Sequence, residues 1–214
     1  MTYLARRTLL AAGLGGASAL AIAVAPTFAN PAAQARVGAP APAFSLTDSA
    51  GKTVSLGDFK GKTVVLEWTN HECPYVRKHY NGNNMQSLQK KWTGQGVVWL
   101  TVISSEPGSQ GHVTAAEANK LTTDRGAAPT AVLFDPKGSA GRAYGAQTTP
   151  HMYVIKGDGT LAYMGGIDDK ATTRLDDLKT AKNFVDAALS EVAQGKPVSV
   201  PTARAYGCTI KYSS

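Results

Sequence analysis

The stretch Thr63-Val-Val-Leu-Glu-Trp68 restricts the fold more than any other part of the chain. It is an almost continuous β-branched and aromatic run without polar alternation, and so reads as a central strand covered on both faces. A strand covered twice needs a layer on each side, and the next segment supplies one. After the loop Thr69-Asn-His-Glu-Cys73, Pro74 stands where a first helical residue tolerates proline. Val76, Tyr80, Leu88 and Trp92 then recur at roughly helical spacing. Asn81-Gly-Asn-Asn interrupts them, which predicts a kinked or two-part helix.

The same grammar repeats downstream. Val97–Ile103, Thr130–Phe134 and His151–Ile155 read as strands, with short helices near Ala115–Thr123 and through Arg142–Tyr144. Lys156-Gly-Asp-Gly159 turns the chain into a returning strand, Leu161–Met164. Leu175, Leu178, Phe184, Val185, Ala188 and Leu189 predict one last amphipathic helix ending near Gly195. Upstream, Pro-rich residues 36–43 lead into a hairpin of Phe44-Ser-Leu and Thr53-Val-Ser-Leu56. Strands alternating with helices and closing on a hairpin predict an α/β fold with a mixed central sheet. Residues 36–195 form that one domain, and residues 196–214 form a tail carrying Cys208.

The first 35 residues read differently. Arg6-Arg7 precedes seventeen uncharged residues, Leu9–Ala25, and small residues follow at Ala25-Pro-Thr-Phe-Ala29 and Ala33-Gln-Ala35. This is the order of a secretory signal, cleaved after Ala29 or Ala35, and the paired arginines suit twin-arginine export. The expected location is the periplasm or the extracellular space. A spanning helix wants roughly 20 apolar residues, so no stable membrane insertion is expected once the signal is removed. Without residues 1–35, twenty basic and fifteen acidic residues leave a charge of +5. They are scattered and form no basic block interleaved with aromatics, which argues against nucleic-acid binding.

The chain has two cysteines, 135 positions apart. In an exported protein with its own core, such a pair is a structural bridge or a redox pair. Cys73 lies at the start of a predicted helix, where free backbone N–H groups and the helix dipole favour an anion. His71, Arg77, Lys78 and His79 add potentially cationic groups, opposed only by Glu72. Such surroundings lower a cysteine pKa from about 8.5 to roughly 3.5–7.5, and the thiolate is the reactive species. A Cys-x-x-Cys pair would need a second cysteine at position 76, where valine stands. The second thiol must therefore come from Cys208 or from another molecule. Cys208 sits in a flexible tail that could fold back, with Ile210 and Tyr212 to pin it.

Several stretches together resemble the redoxin branch of the thioredoxin superfamily, which includes alkyl hydroperoxide reductase and thiol-specific antioxidant proteins. They are Val37-Gly-Ala-Pro-Ala-Pro-Ala-Phe44, Gly61–Trp68, Cys73-Pro74, Tyr144-Gly-Ala and Thr149-Pro-His-Met-Tyr-Val-Ile155. Trp-Thr-Asn-His-Glu-Cys-Pro together with Gly-Cys-x-Ile-Lys is similar to a peroxiredoxin-like group. The resemblance implies a thioredoxin-like fold with an N-terminal β-hairpin extension. It puts Cys73 in the place of the first active-site cysteine and Pro150 in that of the cis-proline facing it. The Thr149 backbone would then be free to pair with an extended substrate. The peroxiredoxin pattern of threonine three residues before the cysteine, and proline four before that, is replaced by Asn70 and Leu66. Asn70 could still bond an oxygen near the sulfur, and His71 could tune the thiolate.

The resulting expectation is an exported thiol oxidoreductase without cofactor or metal. Cys73 attacks a peroxide or a disulfide, Cys208 resolves the product, and an external thiol reductant reopens the bridge. One alternative is a Cu(I)-binding protein using Cys73, His71 and Cys208, with His151 as a further ligand. A blander one is a thioredoxin-like interaction module with a vestigial thiol.

Overall fold

The central strand and its neighbours fix the architecture. The computed structural model describes residues 1–2 and 34–213. The expected export signal therefore lies, apart from its ends, outside the described residues. In chain order the elements are β1 (Ser45–Asp48), β2 (Thr53–Ser55), β3 (Val64–Trp68), α1 (Pro74–Asn81), α2 (Asn84–Thr93) and β4 (Val98–Ile103). Then come α3 (Ala115–Asp124), β5 (Ala131–Phe134), α4 (Ser139–Tyr144), β6 (Thr148–Thr149), β7 (His151–Ile155) and β8 (Leu161–Gly165). The last elements are α5 (Phe184–Ala193) and β9 (Cys208–Thr209). Short 3₁₀ turns cover Leu56–Phe59 and Leu175–Lys179.

Seven strands form a mixed sheet in the order β2-β1-β5-β4-β3-β7-β8, with β6 and β9 as a separate two-stranded pair. β3 runs parallel to β4 and antiparallel to β7. As the unbroken apolar run predicts, all five residues of β3 are buried. Val64, Leu66 and Trp68 face one side, packing with Leu100, Tyr144, Tyr153 and Ile155. Val65 faces the other, against Val76 and Tyr80 of α1, Leu88 and Trp92 of α2, and Val185 and Leu189 of α5. The two layers are thus helices on opposite faces of one sheet. Trp68 is wedged between Tyr144 and Tyr153, at 5.4 and 5.2 Å between ring centroids, and its Nε1 donates to Ser104 Oγ at 2.9 Å.

Three expectations are refined. The interrupted helix is two helices, broken at Gly82 and at Asn83, whose φ of 55° is left-handed. A Cβ at Gly82 would lie 2.2 Å from Leu178 Cδ1, so a side chain there would have to displace that leucine. The single helix expected over Leu175–Leu189 is a 3₁₀ turn followed by α5, because Asn183 accepts the Asp186 amide at 2.9 Å and starts a new helix. Leu175 is left exposed. The tail is not loose: Met164 exchanges backbone hydrogen bonds with Pro201 and Ala203, and Tyr206 and Ile210 are buried. Among the described residues, no helix is long and apolar enough to cross a membrane.

Candidate active site

The antiparallel register of β3 and β7 builds the site. Trp68 pairs with His151, so the residues just before β7 face the loop just after β3. Those residues are Thr149 and Pro150, joined by a cis peptide bond. Cys73 caps α1 with extended backbone (φ −66°, ψ 123°), and Pro74 follows as the first helical residue. The Cys73 amide donates to Asn70 O at 3.1 Å, and its carbonyl accepts Arg77 N at 2.9 Å. Its thiol donates to the Thr149 carbonyl at 3.2 Å and is fully buried.

The second thiol arrives along the same edge. β9 pairs antiparallel with β6, setting Thr149 against Cys208 and Thr148 against Thr209. Thr149 is therefore not free to receive an extended substrate, since the chain's own strand occupies it. The close approach requires glycine at 207, which has φ +140° and where a Cβ would lie 1.9 Å from Thr149 O. Cys208 is half-buried, and both cysteines are free thiols. Burial pushes the Cys208 thiol up to about 12, the neighbouring Cys73 adds to the rise, and Lys211 opposes it. Cys208 packs against the buried cluster that holds Cys73.

Further anchors hold the strand. Ile210 N donates to Gln147 O at 2.9 Å, and Tyr212 Oη donates to Ala146 O at 2.7 Å. Ile210 and Tyr212 do pin this segment. Arg142 stacks on the Tyr212 ring at 4.8 Å and bonds the carbonyls of Lys137 and Ser213. It belongs to this clamp.

The expected circle of cations does not close on the sulfur. Arg77 is exposed. Lys78 is buried and donates to Lys170 O at 2.6 Å, and buried His79 faces Asn84 and Tyr206. Burial, then the nearby Lys78 charge, lowers His79 to about 3, so it is neutral at pH 7. His71 is half-buried; burial lowers its pKa most, Arg125 lowers it further and Glu72 opposes. Its carbonyl accepts from Arg125 at 3.1 Å.

Asn70 is also committed elsewhere. Its Oδ1 accepts the Glu72 amide at 2.9 Å, and its side chain fills the space beside Gly111, shaping the loop instead of facing the sulfur. His151 stacks on Tyr153 with centroids 4.7 Å apart, and burial lowers it to about 4. Among the described residues, no three His, Cys, Asp or Glu side chains converge as a metal site, so His71 and His151 do not join the two thiols as ligands.

One buried group escaped the sequence reading. Glu67 shares a sheet face with Val65, and its carboxylate accepts from Tyr80 Oη at 2.8 Å, Trp99 Nε1 at 2.9 Å, Gln89 Nε2 at 3.1 Å and Thr101 Oγ1 at 3.3 Å. Desolvation raises its pKa, and those four bonds partly restrain the rise. The signal was a lone acid inside an otherwise apolar strand.

A buried thiol opening the helix after the central strand, faced by a cis-proline on an α/β sheet, defines a thioredoxin-fold redoxin, a class of thiol oxidoreductases. The chain belongs to the AhpC/TSA family, whose model matches residues 37–164. Cys73, Thr149 and Pro150 fall within that match, and Cys208 lies beyond it. A conserved protein of Geobacillus kaustophilus is 24% identical, with a TM-score of 0.71 over 83% of this chain and 93% of its own. A protein of Sinorhizobium meliloti 1021 is 23% identical, with a TM-score of 0.69 over 84% and 96%. Peroxidoxin BcpB of Mycobacterium tuberculosis is 16% identical, with a TM-score of 0.53 over 75% and 98%. At these identities the likeness concerns the fold. No curated protein matches the chain significantly.

Proposed function

We propose that the protein is an exported thiol oxidoreductase whose working pair is Cys73 and Cys208, acting in the periplasm or outside the cell. One observation carries the pairing: Thr149 accepts the Cys73 thiol and is itself paired with Cys208. The Arg6-Arg7 and apolar N-terminal pattern motivates the location.

With a hydroperoxide, the Cys73 thiolate attacks the terminal oxygen, the O–O bond breaks, and the alcohol leaves with a proton. Cys73 becomes a sulfenic acid. Cys208 then attacks that sulfur, water leaves, and a Cys73–Cys208 disulfide remains. Two thiols of an external reductant restore the pair and are themselves oxidised to a disulfide. With a disulfide substrate, the first step gives a mixed disulfide and releases one thiol; Cys208 then attacks the Cys73 sulfur, the substrate's second thiol leaves, and the external reductant reopens the same Cys73–Cys208 bridge. The occupied Thr149 edge favours a small oxidant, because an extended polypeptide must first displace β9. Disulfide exchange keeps a claim through Asn70, whose side-chain oxygen is already engaged by the Glu72 amide.

Mass-spectrometric mapping of the thiols after one equivalent of oxidant tests the pair. The expected product is a Cys73–Cys208 bridge within one chain; two thiols that stay free or join only between chains would refute it. Stopped-flow oxidation by hydrogen peroxide separates the substrates: reaction no faster than free cysteine removes the peroxidase version.

A further inference from the structure

Behind the two thiols lies a second buried polar cluster. Lys78, His79, Asp168 and Tyr206 are all at least nine-tenths buried. Tyr206 Oη donates to Asp168 Oδ1 and accepts from Lys78 Nζ at 3.3 Å. Asn84 Nδ2 donates to His79 Nδ1 at 2.8 Å, which leaves the proton of this neutral ring on Nε2, and Nε2 then donates to Tyr206 Oη at 3.2 Å. The phenol is thus saturated, with one bond given and two received. Lys78 Nζ also lies 5.2 Å over the Tyr206 ring and 3.7 Å from Asp168 Oδ2, while Tyr75 packs on the ring edge at 5.8 Å.

Buried ion pairs are poor sources of stability, since desolvation offsets much of their attraction, but they demand one geometry. The position of this cluster gives that geometry a use. Lys78 and His79 lie on α1, whose first turn follows Cys73, and Tyr206 lies two residues before Cys208. We propose that Tyr206 is a positioning residue: gripped by Lys78, His79 and Asp168, it latches the Cys208 strand over Cys73, so that Cys208, and not an outside thiol, captures the oxidised Cys73 sulfur. The inference rests on the proposed pairing of the two cysteines.

Every opening of the latch exposes Cys73, so reactivity of the buried sulfur toward outside reagents scales with the opening equilibrium even when the strand is seated nearly all the time. Tyr206→Phe keeps the ring and removes the hydroxyl. In the reduced full chain it is expected to speed iodoacetamide labelling of Cys73 and amide exchange at residues 206–210 about tenfold or more, the range set by losing a buried, charge-assisted hydrogen bond. Exchange in β3 should not change, which separates a latch from general loosening.

Glutathione disulfide supplies the chemical arm. Cys73 attacks one of its sulfurs and releases glutathione, and Cys208 then displaces the second glutathione. The variant is expected to accumulate the Cys73–glutathione mixed disulfide at least about tenfold more than the wild type does. Should Tyr206→Phe not fold, His79→Leu removes one donor to the same phenol while keeping Lys78 opposite Asp168, and is expected to shift both readouts the same way. A folded variant with unchanged labelling, exchange and mixed disulfide overturns the latch. A wild-type protein that forms no Cys73–Cys208 bridge overturns the pairing instead, and the labelling and exchange arms still test the latch on their own.

Discussion

The carbonyl of Thr149 accepts the thiol of Cys73 at 3.2 Å across the end of the sheet. That contact joins the loop after β3 to the residue before the cis peptide of β7, and Cys208 is paired with Thr149. One backbone unit therefore organises both sulfurs.

Replacing Cys208 with serine should leave Cys73 able to react but unable to close a bridge within the chain. The first oxidation product should then persist, as a sulfenic acid or as a mixed disulfide with added thiol. Intact-mass spectrometry after one equivalent of oxidant checks this. A bridge within the chain is impossible in this variant, so an unmodified Cys73 would mean that Cys73 is not the nucleophile.

Gly207→Ala places a methyl group where the Thr149 carbonyl oxygen already stands, on a backbone that favours glycine. β9 must move or the peptide must twist, at a cost on the order of 1–3 kcal/mol. The expected result is a lower melting temperature together with faster alkylation of Cys73. An unaltered alkylation rate would separate the strand from control of the buried sulfur.

Acid should loosen the molecule through its buried histidines. His79 is held at about 3 and His151 at about 4, against 6.5 for a free imidazole. Below pH 6.5 the unfolded chain takes up protons that the folded one refuses, so stability is complete above about 6.5 and falls as the pH drops toward 3–4. Denaturation midpoints between pH 7 and 4 should show the decline, and His79→Leu should flatten its slope. The Cys208 thiol works at the other end: raised to about 12 from 9.0, it makes stability fall as the pH climbs through that interval, because the unfolded thiol ionises first.

Glu67→Gln tests the buried acid. Tyr80, Gln89, Trp99 and Thr101 all direct hydrogens at the carboxylate, so an amide NH₂ turns one acceptor into a competing donor. A loss of roughly 1–3 kcal/mol in urea denaturation is expected. A neutral outcome would mean that one of these donors reorients without cost.

The layers of the fold were legible because they follow from pattern: an unbroken apolar strand, helical spacing after Pro74, and turn chemistry at Asn81–Asn84. The broken α1–α2 pair was visible in the same way. Cys73 stood out because a cysteine before a proline at a helix start is chemically distinctive. The partners of its neighbours were hidden. Lys78 and His79 look like surface cations in one dimension, and only Asp168 and Tyr206, some ninety and one hundred and thirty positions on, explain why they are buried. Asn70 was read toward the sulfur, whereas the amide of the nearby Glu72 claims its oxygen first. The pairing of Cys208 with Thr149 has no local signal beyond Gly207, because the ends of a two-residue ladder meet only after the sheet is built.

The alignment of β3 against β7 has a further consequence. Pleated strands have a period of two, so sliding one past the other by a single position would carry Glu67 to the wrong side and swing Thr149 away from the thiol together. The alignment of Thr149 with the thiol is therefore enforced by core residues such as Val65, Leu66 and Tyr153. Damage to that interior should announce itself as altered sulfur chemistry before the molecule melts.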